Sequence, residues 1–157
     1  MERTPITKEG YDQLQIELKG LIKNERPKII NDIETARAHG DLKENAEYHA
    51  AKERQGWIEG RIQHLNFVLA NSDVIDVADI DTDKIRFGAT VTYEDTDSGD
   101  ETTWQIVGEE EADIKKKKIS LKSPIARALL GKEEGDDVLI RAPKGNIEVE
   151  IVSVQYG

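Results

Sequence analysis

The sequence predicts an α+β protein in which an N-terminal antiparallel coiled-coil hairpin of two helices precedes a small α+β domain. Apolar residues recur every three or four positions over residues 11–69, the period of a helix, and every second position after residue 84, the period of a strand. The chain is 37% hydrophobic and 34% charged, less apolar material than a single compact globule of 157 residues usually carries. Part of the chain is therefore expected to be elongated.

The first predicted helix begins near Thr7 and ends at Gly40. Its apolar seam consists of Tyr11, Leu14, Leu18, Ile22, Ile29, Ile33 and Ala36, with Arg26 filling one slot. Two successive steps of four residues mark a stutter in an otherwise coiled-coil pattern. Pro27 has no amide hydrogen, so we expect it to bend the helix or to open its hydrogen-bond ladder locally.

A second seam predicts the second helix. It consists of Tyr48, Ala51, Gln55, Ile58, Ile62, Leu65 and Leu69. The same spacing, continued by four residues toward the N-terminus, places Glu44 on this face of the helix. Two helices of about 30 residues joined by a short turn must lie antiparallel, which gives a rod roughly 45 Å long. We assign residues 1–75 to this hairpin, and its far end to residues 39–45.

The remaining chain predicts a small domain at residues 84–157, after an acidic linker at residues 76–83. Two β-hairpins are expected, IRFGATVTYED with ETTWQIVG and DDVLIRAP with IEVEIVSVQ. Between them, Ser123 as N-cap, Pro124 at the first helical position and Gly131 at the end predict a helix of two turns.

Charge and composition exclude several classes of protein. A net charge of −10 argues against a protein that binds nucleic acid by neutralising many phosphates with basic side chains. Residues 1–75 hold 11 Lys+Arg against 13 Asp+Glu, whereas residues 76–157 hold 11 against 19, so a cationic patch belongs in the first half. The absence of cysteine excludes disulfides and Cys nucleophiles. No apolar run approaches the roughly 20 residues that span a bilayer, and we expect a soluble, cytoplasmic protein without membrane contact.

The far end of the hairpin carries Asp41, Glu44 and Glu47, which have two interpretations. Asp41 as N-cap with Glu44 three residues later outlines a capping box. A capping box uses two acids at most, however, and the tip has three. The acids could therefore have a second role besides capping. Mg²⁺ often binds one or two carboxylates together with waters and phosphates. Two acids at a bare tip cannot hold the ion alone, so another molecule would complete the site and direct a water at a phosphodiester.

Four basic residues lie within a few helical turns of the tip: Arg37, Lys43, Lys52 and Arg54. They are either a solvated helix face or a small contact surface for the phosphates of a single strand. Their positions alone do not decide between the two.

The stretches ARAHGDLKENAEYHAAKERQGWIEGRI and QIVGEEEADIKKKKISLKSPIARALLGK resemble the two signatures of the bacterial Gre transcript cleavage factors. The resemblance covers essentially the whole chain and favours the less basic of the family's two subtypes. It implies that the C-terminal domain is FKBP-like and binds bacterial RNA polymerase at the rim of its secondary channel. The coiled coil would then enter the channel and stimulate the polymerase's own cleavage of the backtracked RNA 3′ end. Such a factor is a cofactor of the polymerase and not itself an enzyme.

The resemblance also implies roles for individual residues. Asp41 and Glu44 match the two acidic tip residues that help to hold a catalytic Mg²⁺ shared with the polymerase and the attacking water. The basic patch that contacts the RNA maps to Arg37, Lys52 and Arg54, and the polymerase-docking surface to Ser123, Pro124 and Ile125. No cofactor is expected to bind stably to the protein alone.

Two alternatives to the cleavage factor differ in what they require of the chain. The first is a regulator that occupies the secondary channel and does no chemistry. The second, a free-standing nuclease, is disfavoured because the chain offers neither a general base with a partner nor a full set of metal ligands. We expect a monomer, since both seams are used within the hairpin.

Overall fold

The computed structural model describes residues 3–40 and 44–157. Two compact units divide the chain. Tyr11–Ser72 form a helical hairpin, and the segment ending at Gly10 joins Asp73–Gly157 in a second unit, called the β-domain below. The predicted fold class, a helical hairpin followed by a small mixed domain, is thus confirmed.

None of the described helices is long and apolar enough to cross a membrane.

The hairpin is built from helix α1 (Lys8–Gly20), a π-helical turn (Leu21–Glu25), helix α2 (Arg26–Arg37) and helix α3 (Ala46–Ala70). The α1 helix starts where the sequence predicts, because the Thr7 hydroxyl accepts a hydrogen bond from the Gly10 amide at 3.0 Å. The buried apolar core of the hairpin is Leu14, Leu21, Ile29, Ile33, Ala36, Ile58, Ile62 and Leu65.

The π-helical turn lies immediately before Pro27, where the sequence predicts an opened ladder. The Arg26 amide bonds to the carbonyl of Leu21, five residues back, instead of the usual four. This longer turn changes which residue faces α3: Leu21 is 5% exposed, whereas Ile22 is 38% exposed. The assignment of Ile22 to the seam is therefore wrong, since the seam was counted with a constant helical period.

The β-domain contains a five-stranded sheet in the order β5-β4-β3-β7-β6. Its strands are β3 (Thr90–Asp95), β4 (Glu101–Val107), β5 (Lys118–Ser120), β6 (Asp137–Ala142) and β7 (Gly145–Gln155). The two predicted hairpins are confirmed as the antiparallel pairs β3–β4 and β6–β7, and β3 pairs antiparallel with β7. The short β5 strand pairs parallel with β4 and was not predicted.

Helix α4 (Pro124–Leu129) covers one face of this sheet. The Ser123 hydroxyl accepts a hydrogen bond from the Ala126 amide at 3.2 Å, and Gly131 has a φ of +85°, so the predicted cap and end are confirmed. Fully buried side chains between helix and sheet include Leu129, Ile140 and Ile106.

The N-terminal segment belongs to the β-domain, which corrects the assignment of all of residues 1–75 to the hairpin. Strand β1 (Thr4–Thr7) pairs with β2 (Ser72–Ile75). The Glu111 carboxylate accepts hydrogen bonds from the Thr7 amide at 3.0 Å, from the Thr7 hydroxyl and from the Gly108 amide at 3.0 Å. The two contacts with Thr7 join residues 104 positions apart, so no local pattern reveals them.

Candidate functional site

The end of α2 leads directly into the tip of the hairpin. The Ala38 amide bonds to the carbonyl of Glu34 at 3.2 Å, and Gly40 follows with a φ of +116°, a conformation that side chains with a Cβ disfavour. The helix itself ends at Arg37, three residues before the predicted end at Gly40. Asp41 and Lys43 lie outside the described residues.

Asn45 caps the second helix of the hairpin. Its Oδ1 accepts a hydrogen bond from the Tyr48 amide at 3.0 Å, and its Nδ2 donates to the carbonyl of Ala36 at 2.6 Å. The N-cap of α3 is therefore Asn45 and not Asp41, the residue that the capping-box interpretation named. Asn is a preferred N-cap residue and stands immediately before an alanine-rich helix start, a signal that the sequence analysis missed.

Glu44 precedes this cap and points its carboxylate to solvent. Within the described part of the chain it has no hydrogen-bond or ion-pair partner. A surface depression brings Glu44 together with His39, Asn45, Ala46 and Glu47. Glu47 differs from Glu44, because its Oε2 lies 3.9 Å from Nδ1 of His39. Glu44 is thus an exposed carboxylate without a hydrogen-bond or ion-pair contact to residues 3–40 or 45–157.

A complete metal site is absent from residues 3–40 and 44–157, where no three His, Asp or Glu side chains converge. Glu44 nevertheless offers the hard oxygen ligand that Mg²⁺ prefers. Its exposure and its freedom from other contacts fit a ligand that joins an ion held partly by another molecule.

The predicted basic residues do not gather on one side of α3. Lys52 and Arg54 are two residues apart, which places them on nearly opposite sides of a helix of 3.6 residues per turn. The Lys52 amine lies 3.2 Å from Oε1 of Gln55, whereas the Arg54 guanidinium lies 4.6 Å from the ring centroid of Trp57. Arg37 is exposed in the last turn of α2.

The predicted docking residues occupy the first turn of α4. Pro124 is exposed, while Ile125 is half-buried and packs against the core of the β-domain. Ser123 also borders a depression whose outer wall is Ile114. Ile114 is 74% exposed, more than any other large apolar side chain in the described chain, and the sequence analysis did not identify it.

Comparison with known proteins assigns the chain to a family. The family model "Transcription elongation factor, N-terminal" matches residues 4–74, and the model "Transcription elongation factor, GreA/GreB, C-term" matches residues 80–156. The chain belongs to the GreA/GreB family of transcription elongation factors. The family predicted from the two sequence signatures is thereby confirmed.

Individual members of the GreA/GreB family align over nearly the whole chain. "Transcription elongation factor GreA" of Hyphomonas neptunium is 59% identical over 99% of both chains. The protein of the same name from Anaeromyxobacter sp. (strain K) is 56% identical over 99% of this chain and 94% of its own. The solved GreA factor homolog 1 (Gfh1) of Thermus thermophilus is 27% identical, with a TM-score of 0.45 over 98% of this chain and 99% of that one. The family assignment rests on the sequence matches.

Proposed function

We propose that this member of the GreA/GreB family inserts its hairpin into the secondary channel of bacterial RNA polymerase and stimulates the polymerase's own cleavage of backtracked RNA. Cleavage would restore a usable RNA 3′ end and rescue an arrested complex. The observation that carries the proposal is the carboxylate of Glu44, which is exposed at the tip while Asn45 performs the capping.

The tip would contribute ligands and not a complete active site. Glu44 and Asp41 would hold a Mg²⁺ that is also bound by the polymerase, and such an ion supplies a more acidic, oriented water for attack on a phosphodiester. Asn45 is a positioning residue in this proposal. Its hydrogen bonds to Ala36 and Tyr48 fix the chain on both sides of the tip, so the position of Glu44 is set before the polymerase is bound.

Arg37, Lys52 and Arg54 would contact the phosphates of the extruded RNA. Because Lys52 and Arg54 face opposite sides of α3, one strand running along a single flank of the helix would meet only one of them directly.

The β-domain would bind the rim of the channel through Ser123, Pro124 and Ile125. The exposure of Pro124 supports this role, whereas Ile125 would act mainly by supporting the first turn of α4 from the core. Burial of the hairpin core within one chain supports a monomer, and action on RNA polymerase would imply a cytoplasmic protein.

The proposal is tested with purified elongation complexes stalled in a backtracked state. Glu44→Gln keeps the size of the side chain and removes its charge, and we expect it to abolish stimulated cleavage while polymerase binding stays within a few fold. Asp41→Asn should behave in the same way. Glu9→Gln, an exposed acid in the first turn of α1, is the matched control and should cleave like the wild type.

Retained cleavage in both tip variants would overturn the proposal. Altered pausing with unchanged cleavage would instead identify a regulator that only occupies the channel. The protein incubated with RNA and Mg²⁺ without polymerase is expected to give no products, because the described chain holds no full set of metal ligands.

A further inference from the structure

Trp57 is an exposed aromatic residue on α3, ten residues before Phe67, the other exposed aromatic residue in the described part of this helix. Its side chain is 52% exposed, and it lies outside the buried stripe formed by Ile58, Ile62 and Leu65. The guanidinium of Arg54, one turn earlier, stacks over its ring at 4.6 Å from the centroid. The hairpin core therefore does not account for the position of this indole.

Helix geometry connects Trp57 to the tip. Glu47, Ala50, Arg54, Trp57 and Arg61 follow one another at steps of three and four residues, so they form one continuous flank of α3. We call this set the Trp57 flank. It begins with an acid of the tip depression and excludes Lys52.

The surface beside the indole is open. Gly60 lies one turn beyond Trp57, and a Cβ built there would meet no atom within 4 Å. Side chains on a helix lean toward its N-terminus, so a side chain at position 60 would reach over the Trp57 ring. With glycine there, the indole stays accessible.

We propose that Trp57 and Arg54 form a stacking platform for a nucleobase of the extruded RNA. The inference rests on the proposed function and adds to it a residue that receives the RNA. Aromatic rings bind single strands without sequence preference because every base has a flat π face, and a stacked arginine adds positive charge at the same place. Arg54 also borders a groove whose other charged residues are Lys28, Glu25 and Asp32, so the groove itself is not cationic and the platform depends on Arg54 and Trp57.

The position of the platform predicts which complexes need it. Trp57 lies eleven residues into α3 from Ala46, roughly 17 Å along the helix axis. This distance corresponds to about five stacked nucleotides at roughly 3.4 Å each, and fewer if the strand is extended. A short extruded end would not reach Trp57, whereas a longer one would.

The first experiment compares cleavage in complexes backtracked by about two and by about eight nucleotides, chosen to bracket that reach. We expect Trp57→Ala to slow stimulated cleavage of the longer extrusion on the order of tenfold and to leave the shorter one near wild type. Trp57→Phe keeps an aromatic face and should restore most of the rate. Gly60→Leu should reproduce the loss by covering the indole, and Gly56→Leu, whose side chain would lean toward the N-terminus of α3 and away from the ring, should not.

The second experiment detects the contact without cleavage. A photoreactive thiouridine is placed near the 3′ end of the longer extruded RNA, and Glu44→Gln keeps that RNA intact. We expect a crosslink within residues 54–61 that disappears when Trp57→Ala is added.

Three results would overturn the inference. Equal cleavage by Trp57→Ala and wild type at both depths would exclude a role, as would an unchanged crosslink. Equal loss at both depths, together with weaker binding to polymerase that lacks RNA, would show that Trp57 contacts the polymerase itself. Failure of the proposed function looks different, since the wild type would then stimulate cleavage at neither depth.

Discussion

At the scale of single residues, Asn45 and Glu44 have different roles at the tip: Asn45 caps α3, and Glu44 is exposed to solvent. Asn45 both accepts from the start of α3 and donates to the end of α2, which a carboxylate cannot do because it has no donor at neutral pH. Glu44 is thereby not needed to cap α3. The acids before the helix suggested instead that Asp41 and Glu44 form a capping box. Charge and spacing alone do not distinguish an N-cap residue from the residue that precedes it.

Replacing Asn45 tests these roles. We expect Asn45→Ala to destabilise the hairpin by about 1–2 kcal/mol through loss of the cap and of the bond to Ala36. Stimulated cleavage should fall as well, because Glu44 would lose its fixed position, while polymerase binding persists. Chemical denaturation and the cleavage assay measure the two effects. Asn31→Ala, on the exposed surface of α2, should change neither; a fully active Asn45→Ala would contradict the positioning role.

Gly10 is a second residue whose size matters. A Cβ at this position would overlap the Glu111 carboxylate, which bonds to Thr7 and Gly108. We expect Gly10→Ala to displace that carboxylate and to cost about 1–3 kcal/mol of unfolding free energy.

Gly20 provides the matched control in the same helix. It has helical dihedrals and no atom within 4 Å of a built Cβ, so Gly20→Ala should be neutral or stabilising by up to about 1 kcal/mol. Equal effects of the two substitutions in thermal unfolding would show that the Glu111 contacts contribute little.

At the scale of elements, two ion pairs join the helices on either side of the π-helical turn. Glu17 of α1 binds Arg61 through two hydrogen bonds at 2.6 and 2.9 Å, and Arg26 of α2 binds Glu59 through two at 2.9 Å. Paired arginine and carboxylate groups of this geometry fix the register of two helices. The two pairs stabilise the contact with α3 on both sides of the π-helical turn, where the positions that face α3 shift by one residue.

The Glu17 pair predicts a pH dependence of hairpin stability. The hydrogen bonds from Arg61 hold the pKa of Glu17 below its usual value of 4.5, against the opposing effect of burial. A lowered pKa in the folded state stabilises the hairpin fully above the unfolded value, and this contribution is lost as pH falls from about 4.5 through the lower folded pKa.

Comparison with Glu17→Gln measures this contribution. Near neutral pH we expect the variant to be less stable by no more than about 1 kcal/mol, because the pair is partly exposed to solvent. The two curves of unfolding free energy against pH should converge in acid. A constant difference at all pH values would assign the effect to packing and not to charge.

The elements differ in how far sequence could predict them. The β3–β4 and β6–β7 hairpins were predictable because each combines a period of two with a turn. The short strands β1 and β5 were not, since three or four residues show no period and their partners are distant or parallel. The seam was predictable except at Ile22, where the π-helical turn changes the residue count. Of the candidate site, the exposed tip position of Glu44 and the caps at Ser123 and Asn45 all had local sequence signals, although the signal of Asn45 was missed. The exposure of Trp57 and Ile114 needed coordinates.

At the scale of the whole molecule, the β-domain is assembled from both ends of the sequence. Trp57 lies in the hairpin and Trp104 in the β-domain, so each unit carries its own fluorescent reporter. Trp104 is half-buried and its indole nitrogen donates to the Tyr93 hydroxyl at 3.0 Å, which ties its emission to an intact domain.

Deleting residues 1–5 should destabilise the β-domain by on the order of 1–2 kcal/mol, because part of β1 and its pairing with β2 are lost while the Thr7 cap remains. We expect the unfolding midpoint reported by Trp104 in a Trp57→Phe background to fall. In a Trp104→Phe background, the unfolding midpoint reported by Trp57 should be the same with and without the deletion. A shift of the Trp57 midpoint alone would show that residues 1–5 stabilise the hairpin and not the β-domain.

The π-helical turn holds one residue more than an ordinary helical turn would. Each residue in an α-helix advances the chain by about 100° around the axis. Loss of one codon between Leu21 and Glu25 would therefore restore the regular period and leave α2 with the same face toward α3. Loss of one codon within α2 would instead turn every later residue of that helix by about 100° and redirect the tip without changing any of its side chains.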